Sequence, residues 1–214
     1  MAGDKKTLVF IIPGASVRTI PVFGEWLAKL IINNLGSDKM EENWVLNFCE
    51  YLKGQLDVDA EVFHWSQGIF FTSVNPAATK LASMIDCHEA EKVILFGKSM
   101  GGVVAHETLM RVKNKNKVIR LVCVATPHKH KHLKLPPGVE VINVFSESDW
   151  VQDVGNKTVN FCLGSREVAG AHNIRLKGAD HFVFNKNILI EHAGRVKLMF
   201  DFYVELILGL QNEK

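Results

Sequence analysis

The feature that most constrains this chain is a short segment in which a buried-type strand, a G-x-S-x-G motif and a helix-compatible stretch follow one another. The strand-like run is Val93–Phe96, the motif reads G-K-S-M-G at residues 97–101, and the helix-compatible stretch continues to His106. A nucleophile elbow requires this context, because its strained turn lifts a serine hydroxyl above the sheet while flanking glycines let the backbone approach closely. The segment therefore predicts that Ser99 is a nucleophile.

Apolar segments of strand length alternate with segments of helical period along the chain. The predicted strands are Thr7–Ile12, Ala60–Trp65, Val93–Phe96, Val118–Ala125, Val139–Phe145 and His172–Leu176, and the predicted helices are Val22–Asn34, Met40–Leu52, Asn75–Cys87 and about Ile188–Leu210. This alternation is typical of an α/β fold with helices on both faces of a mostly parallel sheet. Pro76 suits the first turn of its predicted helix. Residues 126–138, between two predicted strands, leave no room for an inserted cap.

Size and composition exclude several classes of protein. With 214 residues, of which 47% are apolar, the chain can bury a sizeable core, and we expect one domain over residues 1–214. A formal charge of +2 argues against a nucleic-acid partner. No stretch approaches the ~18 apolar residues of an integral membrane segment.

The cysteines match no metal spacing and are expected to be buried, reduced thiols of a cytoplasmic protein: Cys49, Cys87, Cys123 and Cys162.

A nucleophilic serine needs a histidine base, because the hydroxyl alone is a poor nucleophile at neutral pH. His181 is the predicted base, since it follows a glycine-containing turn just after the last predicted strand. His172 and His192 are weaker candidates, one at the start of a strand and the other in the predicted terminal helix.

The base in turn needs an acid that fixes its tautomer. The predicted acid is Asp149, in the loop after the strand Val139–Phe145. Glu147 and Asp153 remain alternatives, because loop geometry after a strand cannot be read to one residue. Asp180 adjoins His181 and would point away from it, so we expect it to form a turn.

An oxyanion hole needs two backbone donors aimed at the developing negative charge. Met100 follows the nucleophile and supplies one donor, and Ala15 or Gly14, in the loop after the first strand, supplies the other. An aromatic segment, W-S-Q-G-I-F-F at residues 65–71, follows a predicted strand and is predicted either to line an acyl pocket or to cover the sheet edge. Its substrate-binding candidates are Ile69, Phe70 and Phe71.

Three histidines alternate with lysines in one connection, at His128, His130 and His132. Imidazole is a common zinc ligand, but no carboxylate or cysteine accompanies them. The pattern therefore favours a solvated basic loop, and no metal site is predicted.

With these residues in place, the chain resembles the α/β-hydrolase superfamily, and within it the lipase-like branch that includes the glycosylphosphatidylinositol inositol-deacylase-like and serine-esterase families. The resemblance is carried by I-P-G-A at residues 12–15, G-K-S-M-G-G at 97–102, A-T-P-H at 125–128 and D-H-F at 180–182. It agrees with the Ser-Asp-His triad read from the residues, and the chain departs from it by lacking the leading antiparallel strands and any cap. We therefore expect a minimal α/β-hydrolase of about six mostly parallel strands with helices on both faces and no cap domain. Lys98 departs from the pattern, since many such enzymes have histidine there.

These residues lead us to expect a serine hydrolase that cleaves carboxylic esters through an acyl-enzyme. The expected substrate is a small-molecule ester or a lipid-like molecule, and the chemistry requires no cofactor. The alternative is a non-catalytic protein of the same fold that binds a ligand or partner, because a fold alone does not establish a function.

Overall fold

A parallel six-stranded sheet forms the centre of the molecule. The computed structural model describes residues 7–15, 39–67, 71–128, 136–152 and 166–209. The strands of this sheet are β1 (Thr7–Ile12), β2 (Asp59–Val62), β3 (Lys92–Lys98), β4 (Val118–Val124), β5 (Glu140–Phe145) and β6 (His172–Arg175). Their spatial order is β2-β1-β3-β4-β5-β6, and every neighbouring pair is parallel. The predicted fold class is confirmed, and no cap domain is evident in the described part of the chain.

The central strands are apolar on both faces, because helices cover both sides of the sheet. In β1, Val9 and Ile11 point into one core layer, and Leu8 and Phe10 point into the other. The helices are α1 (Lys39–Gln55), α2 (Phe71–Cys87), α3 (Met100–Arg111) and α4 (Met199–Leu208). Apolar side chains of α1 and α4 fill the first layer, and those of α2 and α3 fill the second.

The predicted helices agree with α1 and α2 in position but not in every boundary. α2 begins at Phe71 rather than at Asn75, so Pro76 lies inside the helix instead of in its first turn. There, Pro76 has no N–H to donate to the carbonyl four residues earlier, at Thr72. The predicted helix Val22–Asn34 lies outside the described residues.

The predicted terminal helix from Ile188 is wrong in its first half. The chain first forms an antiparallel hairpin of β7 (Leu189–His192) and β8 (Arg195–Leu198), and α4 follows directly. Ala193 and Gly194 form the two-residue connection with φ values of 51° and 71°. Positive φ at both positions is typical of a type I′ turn, whose twist matches that of the paired strands.

Among the described helices, none combines the length and apolar character needed to cross a membrane.

The cysteines within the described ranges are free thiols. Cys49 and Cys123 are buried as expected, whereas Cys87 is exposed at the end of α2. Burial raises the pKa of the Cys123 thiol to about 12, so it stays protonated at neutral pH.

Candidate active site

Ser99 occupies a sharp turn between β3 and α3. Its backbone angles are φ 52° and ψ −128°, outside the regions that a residue with a side chain usually adopts. The turn is held by hydrogen bonds on both sides, because Ser99 N donates to Val124 O at 2.8 Å and Gly102 N donates to Ser99 O at 3.0 Å. Strain of about 1–3 kcal/mol persists only where the surroundings enforce it.

Two glycines of the motif allow the close packing that encloses this turn. A Cβ on Gly97 would lie 2.6 Å from the carbonyl oxygen of Gly101. A Cβ on Gly101 would overlap the carbonyl oxygen of Ile12 and lie 2.5 Å from that of Pro13. The end of β1 therefore packs directly on the first turn of α3, and the loop that carries Gly14 begins beside it.

A buried aspartate and a buried histidine are in contact at the carboxyl edge of the sheet. Asp149 follows β5, His181 follows β6, and the Nδ1 of His181 lies 2.8 Å from Oδ2 of Asp149. Asp149 is fully buried and His181 is 5% exposed. Because an ionised carboxylate only accepts hydrogen bonds, we assign the hydrogen to Nδ1, which leaves Nε2 of neutral His181 free to accept a proton.

A residue that the sequence analysis missed supports this pair. Gln152 is 1% exposed, and its backbone N–H donates to Oδ1 of Asp149 at 2.9 Å. Its side-chain Nε2 donates to the carbonyl oxygen of Thr126 at 2.7 Å, which connects the acid-bearing turn to the loop after β4. The spacing D-x-x-Q was the only local signal for this role.

The described carboxylates near this pair, Glu147 and Asp180, have hydrogen-bond partners other than His181. Glu147 is exposed and pairs with Arg175 at 2.8 Å, away from His181. Asp180 accepts hydrogen bonds from two following backbone N–H groups, each at 2.8 Å, as a turn-forming residue does. Asp153 lies outside the described residues. Of the two candidate acids in the described part of the chain, Asp149 alone contacts His181.

The other candidate histidines do not contact a carboxylate of the predicted site. His172 is exposed at the start of β6, which agrees with its predicted place in a strand. His192 lies in β7 rather than in a helix, with its ring against Phe202 at 5.1 Å between centroids. Burial and the nearby Lys197 lower the pKa of His192.

The solvated loop predicted for His128 is wrong, because this side chain is buried with 3% exposure. Its Nε2 lies 2.9 Å from Oδ1 of Asn143. The amide nitrogen of Asn143 donates to Arg166 O and to Asn173 Oδ1, so its oxygen must accept from His128. Burial lowers the pKa of His128 to about 4. His130 and His132 lie outside the described residues.

The predicted oxyanion donors lie at two described positions near Ser99. Met100 is the first residue of α3, where backbone N–H groups have no partner within the helix. Gly14 and Ala15 follow β1, at the end that contacts Gly101. Their donor roles stay predictions.

The aromatic segment is only partly described. Trp65 donates its indole Nε1–H to the carbonyl oxygen of Pro13 at 3.0 Å. Ile69 and Phe70 lie outside the described residues, and Phe71 begins α2 with a side chain that the structure does not describe. Their predicted role in substrate binding is therefore untested.

A second unexpected feature is the burial of Lys98, which precedes Ser99 and is 1% exposed. It is the last residue of β3, whose central residues are apolar.

Over the described ranges, no group of histidine, cysteine and carboxylate side chains could hold a metal ion.

Comparison with known proteins identifies the family. The model of the PGAP1-like alpha/beta domain matches residues 56–178, more than half of the chain. The chain belongs to this family. No curated protein sequence matches it significantly.

Solved structures share the fold at low sequence identity. A predicted CIB-like hydrolase from Thermoplasma acidophilum is 13% identical with a TM-score of 0.52; the match covers 98% of this chain and 88% of that one. Lipase B from Aspergillus fumigatus is 12% identical with a TM-score of 0.51, over 81% of this chain and 45% of the lipase. The chain thus spans less than half of the lipase. The resemblance to the α/β-hydrolase superfamily is confirmed at the level of the fold.

Proposed function

We propose that this PGAP1-like domain is a serine hydrolase that cleaves carboxylic esters through an acyl-enzyme. The observation that carries the proposal is the 2.8 Å contact between fully buried Asp149 and His181, at the same sheet edge as the strained Ser99. Burial of both side chains keeps water from competing for their hydrogen bond. A histidine oriented in this way is suited to act as a general base.

In the proposed reaction, Nε2 of His181 takes the proton of Ser99 as the serine oxygen attacks the ester carbonyl carbon. The resulting imidazolium is stabilised by Asp149, which also holds the ring in the required tautomer. Negative charge on the former carbonyl oxygen is stabilised by the amide of Met100 together with that of Ala15 or Gly14.

Collapse of this intermediate breaks the bond to the alcohol, which leaves with the proton held by His181. Water then attacks the acyl-enzyme, with His181 again acting as base, and releases the acid and the free serine. These steps need no cofactor. We propose small-molecule esters or lipid-like esters as substrates, with Ile69, Phe70 and Phe71 as candidate acyl contacts. We also propose a cytoplasmic location, where the thiols of Cys49, Cys87 and Cys123 would stay reduced.

The proposal is tested with a fluorophosphonate probe, which labels an activated serine covalently. Wild-type protein should be labelled and Ser99→Ala should not, whereas Ser83→Ala, which alters an exposed serine on α2, should be labelled like wild type. Ester turnover should fall about 10⁶-fold in Ser99→Ala, as for other removed triad nucleophiles. Circular dichroism of each variant controls for folding.

A folded wild-type protein that takes up no probe and cleaves no ester would contradict the proposal and favour the non-catalytic binding protein. If labelling succeeds, a panel of esters and thioesters of graded acyl length identifies the substrate class. Each methylene buried in an acyl pocket should raise kcat/KM, since burial contributes about 0.8 kcal/mol per methylene.

A further inference from the structure

The indole of Trp65 reaches over the end of the neighbouring strand β1. Phe63, just after β2, still donates its backbone N–H to Ile11 O at 2.9 Å, so the pairing of β2 with β1 continues one residue beyond the strand. Two residues later, Trp65 donates its Nε1–H to the carbonyl oxygen of Pro13 at 3.0 Å. The ring is half-buried against the core layer beneath α2 and α3.

The same carbonyl group is confined from a second direction. Gly101, in the first turn of α3, approaches so closely that a Cβ there would lie 2.5 Å from the oxygen of Pro13. The Pro13 carbonyl is therefore held between a hydrogen-bond donor on the β2 side and the backbone of α3, the helix that follows Ser99.

Holding this carbonyl restricts the amide that follows it. The peptide unit between Pro13 and Gly14 is planar, so the direction of the Pro13 C=O determines the direction of the Gly14 N–H. Gly14 would otherwise have wide backbone freedom, because glycine lacks a Cβ. The hydrogen bond from Trp65 therefore limits the directions that the Gly14 N–H can take.

We propose that Trp65 is a positioning residue for the oxyanion hole: its indole N–H fixes the Pro13 carbonyl and thereby aims the backbone N–H of Gly14. This assignment rests on the proposed function, since only a reaction that develops an oxyanion needs that amide to be aimed. It differs from a role of the aromatic segment in lining an acyl pocket, because it requires the N–H and not merely the ring.

The test compares Trp65→Phe with Trp44→Phe. Both substitutions replace an indole by a phenyl ring, but the buried Nε1 of Trp44 has no hydrogen-bond partner among the described residues, so its N–H holds none of them in place. Trp65→Phe should lower kcat on a water-soluble ester by about tenfold while KM stays within about threefold, a smaller loss than deletion of an oxyanion donor itself. Trp44→Phe should change kcat by less than about threefold.

Inhibition by a trifluoromethyl ketone gives a second readout, because its adduct with the serine carries the oxyanion. The inhibition constant should rise in Trp65→Phe by the same factor by which kcat/KM falls. A purely structural role would lower the melting temperature and leave kcat and the inhibition constant of the folded protein unchanged; that result would overturn the assignment.

If Trp65→Phe does not fold, a tryptophan analogue with sulfur in place of the indole N–H keeps the bicyclic ring at residue 65 and should show the same loss. Unchanged kcat with the analogue would also overturn the assignment. A wild-type protein that takes up no fluorophosphonate would overturn the proposed function and this assignment together, whereas normal labelling with an unaffected Trp65→Phe variant would overturn this assignment alone.

Discussion

Two buried histidines near the carboxyl edge of the sheet differ in the partner that each one faces. His181 is 5% exposed and contacts the carboxylate of Asp149 at 2.8 Å. His128 is 3% exposed and contacts the amide oxygen of Asn143 at 2.9 Å. Burial and distance are nearly the same in the two pairs, so the chemical difference between them comes from the partner.

The partner determines whether the buried ring can hold a second proton. Protonation of His181 creates an ion pair with Asp149, so the new charge is compensated inside the protein. Protonation of His128 creates a buried charge beside the neutral amide of Asn143. Burial, together with the nearby His106, lowers the pKa of His128 to about 4, although the hydrogen bond with Asn143 opposes this shift. A base that must carry a proton during turnover needs a carboxylate partner, as His181 has in Asp149. An amide partner, as His128 has in Asn143, suits a structural group that stays neutral near pH 7.

Within the comparison of the two histidines, the largest expected effect comes from giving His181 a neutral partner. Asp149→Asn should reduce ester turnover by about 10³- to 10⁴-fold, because the amide no longer stabilises the imidazolium and can favour the wrong tautomer. Steady-state kinetics at pH 7.5 measures the loss, and thermal unfolding shows whether the fold survives. Turnover within tenfold of wild type would rule out Asp149 as the acid.

The second effect concerns His128 and stability rather than turnover. Its pKa is about 4 in the folded protein and about 6.5 in the unfolded chain, so the unfolded state binds the proton more readily. The free energy of unfolding is therefore unaffected by His128 above about pH 7. It decreases as the pH falls through about 6.5, and the decrease levels off below about pH 4. Between pH 7 and pH 5, His128 should lower the free energy of unfolding by about 2 kcal/mol.

His128→Gln isolates this contribution, because its amide can still donate to Asn143 but does not titrate. Urea unfolding of wild type and variant at pH 7 and pH 5 gives four free energies. The variant should lose about 2 kcal/mol less than wild type between the two pH values. Equal losses would mean that His128 does not bind its proton preferentially in the unfolded chain.

The contrast between His181 and His128 also shows which features could be predicted from the local sequence and which could not. The strands of the central sheet were predictable, because parallel strands covered on both faces read as continuous apolar runs such as Val93–Phe96. The turn at Ser99 was predictable from its two glycines. The burial of His128 was not predictable, because its lysine neighbours resemble a solvated loop and its hydrogen-bond partner, Asn143, lies in β5, 15 residues away in sequence.

The choice among acids shows the same limit. Glu147, Asp149 and Asp153 are chemically equivalent candidates in one loop, and only the three-dimensional path of that loop distinguishes them. The sequence ranked Asp149 first, and the structure brings it against His181; its catalytic role stays a prediction. The hairpin before α4 was missed, because Ala-Gly at residues 193–194 is a weaker turn signal than the Asn-Gly or Asp-Gly pair that type I′ turns favour.

The smallest expected effect comes from Glu147. It tests whether turnover depends on any carboxylate in this loop or only on one that contacts His181. Glu147 precedes Asp149 by two residues, but its side chain is 65% exposed and pairs with Arg175, which is 51% exposed. Exposed ion pairs contribute less than about 1 kcal/mol, so Glu147→Gln should change the free energy of unfolding by less than that and turnover by less than about twofold. Arg175→Gln, which removes the other partner, serves as the matched control, and the double variant measures the coupling between the two. A loss of turnover in Glu147→Gln comparable to that of Asp149→Asn would contradict this expectation. It would mean that an exposed carboxylate supports turnover without contacting His181.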